Sequence, residues 1–408
     1  MRGSDVSGRL ALLAALAACS GGAMERSDTV VERSDTVVAR YLHDGAFRRA
    51  ELVASLVNPA NGYSRLRLER YGRAWDELPE WNPRVALAGT SEPHVALEIA
   101  DAARAGDRDA LLALGRAAFE RYPVQLFEPA FALTADAPIR YGLVGGVVAA
   151  EMADGSSRLA YTCATCHLGR SADGHLVPGL ANAALDVGRL LADAIHGREH
   201  DPALLAWGPG RADVSTPGGA EPVRIPDLRP TRYQTNLQAN ATVAQRSLAS
   251  LAIRIETLIV VGHGEVVRPP REVAAGLALY LWSLAPEPSP HGTRGRDVFA
   301  AHCARCHVPP SFAGPPVSLA SIGADDAIGR SSSRGTGTWR VPSLVGVASR
   351  GLLFHDGSLA DPADVLDPAR LAPSYTGGRR PGAVTEHRFG LELDAGARAD
   401  LLAYLRTL

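Results

Sequence analysis

Two stretches of helical hydrophobic spacing in this chain end in the same way. Apolar residues recur every three or four positions through REVAAGLALYLWSL (271–284) and again through ARADLLAYLRTL (397–408). Each stretch closes on a tyrosine followed by Leu-x-x-Leu, with Tyr280 in the first and Tyr404 in the second. The pattern predicts two amphipathic helices that occupy equivalent places in two related units.

A third periodic stretch, GRDVFAAHCARCH (295–307), lies between these two. Val298, Phe299 and Cys303 fall on one face of a helix at this spacing. The preceding segment APEPSPHGTRG (285–295) is rich in proline and glycine, which predicts a linker. The chain therefore divides into two units, the second of which begins with a helix that leads into a pair of cysteines.

The first forty residues have the pattern of an exported and tethered chain. Nine apolar residues at 10–18 are too few to cross a bilayer and favour the hydrophobic part of a secretory signal over a fragment of buried core helix. The letters LAAC that end this run resemble the lipobox of bacterial lipoproteins, which implies lipidation at Cys19 and an anchor on the outer or inner membrane, facing the periplasm. The heptad ERSDTVV follows at 25–31 and again at 32–38, which predicts a polar spacer without a site.

Composition and charge narrow the class of partner. With 408 residues the chain is long enough for two domains, or for one domain and a large extension. The hydrophobic fraction of 46% and charged fraction of 21% are those of globular material. The net charge is −2 and no basic stripe is present, which argues against nucleic acid or a polybasic membrane surface as the main partner.

Four of the five cysteines fall into two copies of one pattern, in YTCATCHLGR (161–170) and HCARCHVPP (302–310). Each copy contains Cys-x-x-Cys-His, the attachment pattern of c-type haem. The two thiols bond to the haem vinyl groups, and the histidine that follows binds the iron from the proximal side. The fifth cysteine, Cys19, belongs to the lipobox-like stretch. We therefore predict two covalently bound c-type haems, held by Cys163, Cys166, His167, Cys303, Cys306 and His307.

Two other uses of paired cysteines fit this chain less well. A thioredoxin-like disulfide opens a helix directly after a strand, and we do not expect either pair to follow a strand. A zinc site built from both pairs would have to join segments far apart in sequence, whereas zinc ribbons keep their pairs close together.

The arrangement of the pentads and helices resembles two class I cytochrome c folds, in which the first and last helices cross near the haem. This likeness implies a mainly α fold of two cytochrome c-type haem domains with an N-terminal helical extension. A helical stretch at 97–121 in that extension matches no family pattern. The predicted segments are a signal peptide at 1–19, a tether at 20–40, an extension of unknown role at 41–150, a first haem domain at 151–285 and a second at 292–408.

Three further segments resemble one bacterial superfamily. GTWRVPSLVGVASRGLLFHDGSL (337–359) is similar to the Val-Pro-(Ser/Thr)-Leu … His-Asp-Gly segment of the di-haem cytochrome c peroxidase and MauG superfamily. WGPGRADV…VRIPDL (207–228) and EHRFGLELD (386–394) are similar to its branch of rubber-cleaving di-haem oxygenases. The likeness spans about 160–408 and implies one haem that activates peroxide or oxygen and another that transfers electrons.

The ligand on the far side of each iron decides its chemistry, and methionine is the first candidate. The methionines are Met1, Met24 and Met152, none of which follows either pentad. The methionine ligand of the peroxidase pattern would fall near Ala369. Ordinary His/Met ligation of the second haem is therefore not expected unless Met152 reaches across domains.

Three other residues are candidates for the sixth ligand of the second iron. The resemblance to the rubber-oxygenase branch favours His387 in EHRFG. The wider superfamily places the histidine of the FHDGS segment, here His355, near the haem without ligation. Tyr375 would correspond to the tyrosine ligand of MauG.

The first iron has weaker candidates. His175 and His196 are the nearest downstream histidines, and neither matches a known ligand position, so we expect a first haem that is open or weakly closed. Glu256 lies close to the position of the superfamily's catalytic glutamate, although a surface glutamate paired with Arg254 or with a neighbouring helix is the alternative. The superfamily's bridging tryptophan would fall near Ala239 and is absent.

These observations predict a di-haem c-type cytochrome on the periplasmic side of the bacterial envelope. The leading hypothesis is an oxidoreductase that activates hydrogen peroxide or oxygen at the first haem and exchanges electrons with a redox partner protein through the second. A non-catalytic electron-transfer cytochrome is the alternative. A haem-bearing sensor whose region 41–150 binds a partner is a third hypothesis.

Overall fold

The computed structural model describes most of the chain after residue 34. The described ranges are 35–129, 131–195, 200–214, 221–323 and 327–408. The predicted signal peptide with Cys19, and the candidate His196, lie outside them. Helices predominate over strands, and the predicted mainly α class is confirmed.

The described helices range from single turns to four turns. Among them, none combines the length and the apolar character that crossing a bilayer requires. Their bounds are α1 (35–43), α2 (Gly45–Ser55), α3 (Gly62–Arg70), α4 (Asp101–Arg104), α5 (Arg108–Arg121), α6 (Ala137–Tyr141), α7 (Cys163–His167), α8 (Val187–Ala194), α9 (Pro202–Leu205), α10 (Leu248–Gly262), α11 (Arg271–Ser283), α12 (Thr293–His302), α13 (Leu319–Ile322), α14 (Ala327–Arg330), α15 (Pro362–Leu366) and α16 (Ala395–Leu405).

Short antiparallel strands supplement the helices. They are β1 (Val85–Leu87), β2 (Gln125–Leu126), β3 (Val147–Glu151), β4 (Ser157–Tyr161), β5 (Leu168–Arg170), β6 (Leu176–Pro178), β7 (Arg211–Ala212), β8 (Val223–Arg224), β9 (Asn236–Leu237), β10 (Val243–Ala244), β11 (Gly314–Ser318) and β12 (Thr338–Val341). The largest sheet has the order β1-β3-β4-β2. Strand β4 ends at Tyr161 and α7 begins at Cys163, so the expectation that neither cysteine pair follows a strand is wrong for the first pair. Thr165 closes this junction, because its Oγ1 accepts a hydrogen bond from the backbone amide of Thr162 at 3.0 Å.

The predicted tether is shorter than residues 20–40. Residues 35–40 already belong to α1, and Val38 is only 3% exposed. The reason is that Val38, Tyr41 and Leu42 follow one another at helical spacing and are buried together. The second copy of the polar heptad therefore runs into a packed helix.

The region 41–150 shares a hydrophobic core with the following haem domain. Buried residues of α1, α2, α3 and α5 form one cluster with α10 and α11. The tightest contact is a crossing of α5 and α11 at two glycines, where a Cβ on Gly115 would lie 1.9 Å from the carbonyl oxygen of Gly276. Phe119 and Tyr280 meet one turn further along, with ring centroids 5.4 Å apart. The predicted boundary at 150/151 therefore passes between elements that share one interior.

Helices α12 and α16 cross in the same manner in the second half. A Cβ on Gly295 would lie 2.2 Å from the carbonyl oxygen of Asp400. One turn further along, Phe299 and Tyr404 place their ring centroids 5.4 Å apart. The two matched helices that carry a tyrosine, α11 and α16, are thus each crossed by a helix that has a glycine at the contact and a phenylalanine four residues later.

We expect Gly115→Ala to lower the free energy of unfolding. The added methyl group would collide with the α11 backbone, and such overpacking costs about 1–3 kcal/mol, which exceeds the gain of up to about 1 kcal/mol from better helix propensity. Chemical denaturation measures the difference. Gly396→Ala in α16 is the control, because its Cβ would lie 3.4 Å from the Asp394 side chain, an ordinary contact. Equal stability of the two variants would contradict the close crossing.

Candidate functional site

Both Cys-x-x-Cys-His pentads open onto one cavity. Its volume is about 420 Å³, within the range of about 300–1,000 Å³ of pockets that enclose ligands. The wall includes all six predicted haem-binding residues, namely Cys163, Cys166, His167, Cys303, Cys306 and His307.

The described cysteines are half-buried, and three of them have the electrostatic environment of inert thiols. None of the four described cysteines forms a disulfide. Burial raises the pKa of Cys163 and of Cys166 to about 12, and that of Cys303 to about 11. Catalytic cysteine pairs show the opposite shift, towards a stable thiolate. Although the first pair opens a helix after a strand, its electrostatics therefore disfavour thioredoxin-like chemistry.

The cysteine pairs do not converge on a shared metal site either. Within the described ranges, the group of side chains close enough to hold a metal ion consists of His355, Asp356 and Glu386, without a cysteine. A zinc site built from both pairs therefore has no support in this geometry.

Each pentad histidine is held by a proline carbonyl. Nδ1 of His167 lies 3.0 Å from the carbonyl oxygen of Pro226, and Nδ1 of His307 lies 3.1 Å from that of Pro342. A carbonyl only accepts, so Nδ1 carries the proton and Nε2 is left as the free ligand atom. Burial lowers the pKa of both histidines to about 4, which favours the neutral imidazole that binds metals. The two sites thus present the same ligand in the same tautomer.

The two prolines belong to a pentapeptide that occurs twice, although no such repeat was predicted from the sequence. Arg-Ile-Pro-Asp-Leu occupies 224–228 and Arg-Val-Pro-Ser-Leu occupies 340–344. Both arginines and both prolines line the cavity. The signal was available in the sequence, but the two copies were assigned to separate family segments, 207–228 and 337–359, and were not compared with each other.

His387 faces His307 in the way that two ligands of one metal would. Their ring centroids lie 6.5 Å apart, and both residues line the cavity. This separation leaves room between the rings for one metal atom with a nitrogen bond of about 2.0 Å on each side. Burial lowers the pKa of His387 to about 4. The residues present therefore fit an iron held from both faces.

The backbone at His387 is unusual, because its φ of 52° lies in the left-handed region. The Nη2 group of Arg370 donates to the carbonyl oxygen of His387 at 2.7 Å, and the amide of His387 donates to Ile322. A non-glycine residue in this conformation costs of order 1–3 kcal/mol and persists where surrounding contacts hold it, commonly at functional sites.

His355 also lines the cavity but is already engaged with protein groups. Its Nδ1 lies 3.0 Å from Oε2 of Glu386, and its ring packs on Trp339 with centroids 4.7 Å apart. This is the hydrogen-bonded pocket position that the superfamily resemblance implies for it. Engagement of Nδ1 does not by itself exclude Nε2 from ligation, as the pentad histidines show, so His387 is favoured because its ring faces that of His307.

Other sixth-ligand candidates lie away from the cavity. His175 is in the turn between β5 and β6, with a side chain 80% exposed beside Asp173. Tyr375 packs at the edge of the second-half core. Neither of these residues nor Met152 lines the cavity, and no described methionine does.

Glu256 lies on the opposite side of α10 from the cavity. It is fully buried, and Oε2 accepts hydrogen bonds from Tyr41 at 2.9 Å and Tyr71 at 3.0 Å. Burial raises its pKa, against the lowering effect of Arg271 and of the two tyrosines. The structure therefore places this candidate between α10 and the N-terminal region. The face of α10 that lines the cavity carries Leu251, Arg254, Ile255, Leu258 and Ile259.

Comparisons with known proteins give weak structural likenesses. No protein-family model and no curated protein matches the chain. One similar solved structure is a MauG-like protein associated with microbial copper homeostasis, at 20% identity and a TM-score of 0.33, with 47% of this chain and 75% of that chain covered. A second is hydrazine synthase of Kuenenia stuttgartiensis, at 16% identity and a TM-score of 0.29, with 47% of this chain and 74% of that chain covered. A third is the di-haem peroxidase BthA of Burkholderia thailandensis, at 17% identity and a TM-score of 0.34, with 80% of this chain and 95% of that chain covered. At identities of 20% or less and TM-scores below 0.5, these likenesses carry no argument about family or function.

Proposed function

We propose that this protein is a di-haem c-type cytochrome with two related haem domains. The observation that carries the proposal is that both pentads line one cavity, each with its histidine fixed by a proline carbonyl. The buried, unpaired thiols and the neutral imidazoles are the groups that thioether attachment and proximal ligation require. Bound iron porphyrin supplies one-electron transfer and, where an axial position is open, activation of oxygen or peroxide.

The first haem domain of this proposal is discontinuous in the chain. The crossing of α5 with α11 repeats the crossing of α12 with α16, down to the glycine and the aromatic pair. We therefore assign α5 as the first helix of the first haem domain, with the four-stranded sheet inserted between it and the pentad in α7. This assignment gives part of region 41–150 a structural role.

The second site supports electron transfer. His307 and His387 would hold an iron from both sides, which would keep a substrate from binding it directly. This side of the proposal implies exchange of electrons with a redox partner protein.

The first site supports chemistry on a small oxidant. The face of α10 is apolar except for Arg254, and α10 packs in the same core as Cys163 and Ala164. Within the described residues, Nη1 of Arg254 has no hydrogen-bond partner, and its guanidinium carbon lies 5.6 Å from the Tyr63 ring. If the iron held by His167 has an open position, an apolar wall with one cationic donor would suit hydrogen peroxide or oxygen there, because the guanidinium would stabilise negative charge that develops on the oxidant. We therefore propose a peroxide- or oxygen-activating oxidoreductase.

The alternative, a non-catalytic electron-transfer cytochrome, is favoured by one observation. The glutamate expected to move protons on the distal side instead faces Tyr41 and Tyr71, and the cavity face of α10 carries no carboxylate.

We further propose that the protein is exported and anchored by lipid at Cys19, facing the periplasm. The support is the pattern of apolar and small residues before Cys19.

Electron paramagnetic resonance distinguishes the enzyme from the carrier. We expect the oxidised protein to show one low-spin and one high-spin ferric signal, and the high-spin signal to change when hydrogen peroxide is added. Arg254→Ala should slow that change roughly a hundredfold, the typical effect of losing one preorganised donor. Glu256→Gln is the matched control and should leave the rate unchanged, because Glu256 faces away from the cavity. Two low-spin signals that ignore peroxide would overturn the enzyme and leave the carrier.

A further inference from the structure

Three arginines converge on one part of the cavity wall. Arg224 and Arg340 are the first residues of the two repeated pentapeptides, and Arg350 follows the second. They lie close enough for their charges to repel one another, since Arg224 and Arg350 each lower the pKa of Arg340. Arg340 therefore has two further cations beside it, whereas the carboxylates of Asp227, Asp356 and Glu386 act on Arg224.

Arg350 and Arg224 have protein partners. Nη2 of Arg350 donates to the carbonyl oxygens of Ser343 at 2.5 Å and Val345 at 2.6 Å, and its Nε lies 3.7 Å from Asp227. Nη1 of Arg224 donates to the carbonyl oxygen of Leu352 at 2.9 Å.

Arg340 differs from them. Within the described residues its side chain makes no hydrogen bond or ion pair, and the charged groups that act on it, Arg224 and Arg350, are both cations. Burial is the main reason that its pKa falls to about 9. Arg340 is half-buried in the cavity wall, and a partly desolvated cation without an anion is stabilised when one binds. A guanidinium prefers a carboxylate or phosphate, which it can bind through two parallel hydrogen bonds. The cavity is therefore built for an anion at Arg340.

We propose that Arg340, supported by Arg224, binds a carboxylate in the cavity, and that this carboxylate is a propionate of the haem held by His307. The inference rests on the proposed function, since it assumes that haem is attached. It follows from the spacing in each repeat, where the arginine lies two residues before the proline that orients a pentad histidine. One short segment thus fixes the imidazole through its proline carbonyl and neutralises the anionic edge of the cofactor through its arginine. Because Arg224 and Arg340 approach each other, the two haems meet at a shared cationic cluster.

The test is the reduction potential of the second haem, measured optically in the holoprotein after haemochrome analysis has counted the haems. We expect Arg340→Gln to shift the Fe(III)/Fe(II) equilibrium roughly tenfold towards Fe(III), a fall of about 59 mV for one electron, because a buried positive charge that favours the reduced iron is lost. Arg340→Lys, which keeps the charge, should recover most of the shift and covers the case in which the glutamine variant does not fold. Arg305→Gln is the matched control, since Arg305 also lines the cavity but is exposed and screened by solvent.

The outcomes separate the sources of the carboxylate. A shift without any added carboxylate, unaffected by titration with acetate, supports the propionate. A wild-type potential that responds to acetate, with a response that Arg340→Gln abolishes, would assign the site to a small free carboxylate and overturn the propionate. If both haems are bound and the second haem has the same reduction potential in Arg340→Gln as in Arg305→Gln, the carboxylate site is overturned. Absence of haem would instead contradict the proposed function.

Discussion

Replacing Cys163 and Cys166 together by alanine is expected to halve the covalently bound haem. Each pentad supplies its own two thiols, and the pairs do not converge on a shared site within the described ranges, so loss of one pair leaves the other attachment intact. The haem that remains should keep its low-spin spectrum, because His307 and His387 are untouched. Pyridine haemochrome analysis of protein extracted with acid acetone measures the covalent fraction.

The reciprocal variant is the control. Replacing Cys303 and Cys306 should also halve the covalent haem, but it should remove the low-spin signal and leave the one that responds to peroxide. Retention of two covalent haems in either double variant would contradict the assignment of that pentad. Complete loss of haem in both would show that the two sites assemble only together.

His387→Gly is expected to convert one low-spin haem into a high-spin haem. The variant removes the imidazole that faces His307 and therefore opens one axial position of the second iron. Glycine is chosen because the φ of 52° at this position is unfavourable for other residues, so the ligand is lost without a backbone penalty. Electron paramagnetic resonance and the optical spectrum of the oxidised protein report the change.

His355→Ala is the comparison for this experiment. It removes a histidine from the same cavity, but one that is engaged with Glu386 and Trp339. We expect its low-spin signal to persist with a small shift. If His387→Gly left the spectrum unchanged and His355→Ala altered it, His355 would be the iron ligand and His387 the pocket residue.

The residues of the candidate second site could be selected from the sequence because they lie in recognisable local patterns. The pentad at 303–307, the segment containing Pro342 and the EHRFG segment containing His387 each matched a family pattern or a known attachment motif. Their meeting in space could only be assumed, since more than one histidine was available. The facing rings of His307 and His387 supply that missing contact.

The role of α5 was not predicted, although a signal existed. GRAAF at 115–119 repeats GRDVF at 295–299, but the first copy is separated from its pentad by a sheet and the second is not. A repeat search anchored on the pentads therefore passes over it. The match gains meaning only when the glycine crossings are compared in three dimensions.

The side of α10 that faces the cavity was equally inaccessible from periodicity. The helix is apolar on two faces, one against the cavity and one against the N-terminal region. A helix that is buried all round has no polar stripe to indicate its orientation. The tyrosines at 41 and 71, far away in sequence, decide that Glu256 faces them.

The shared core of the first half sets where this chain could be cut and rejoined. A recombination event at residue 150 would separate α5 from α11 and leave Glu256 facing solvent or a void, so an exchanged cassette starting there would not carry a complete interior. A crossover at 285–292 keeps the buried residues of α1, α5, α10 and α11 together on one side and the α12–α16 pair together on the other. Recombination between related chains is therefore expected to occur at 285–292, so that the segment from α1 to α11 is exchanged as one unit.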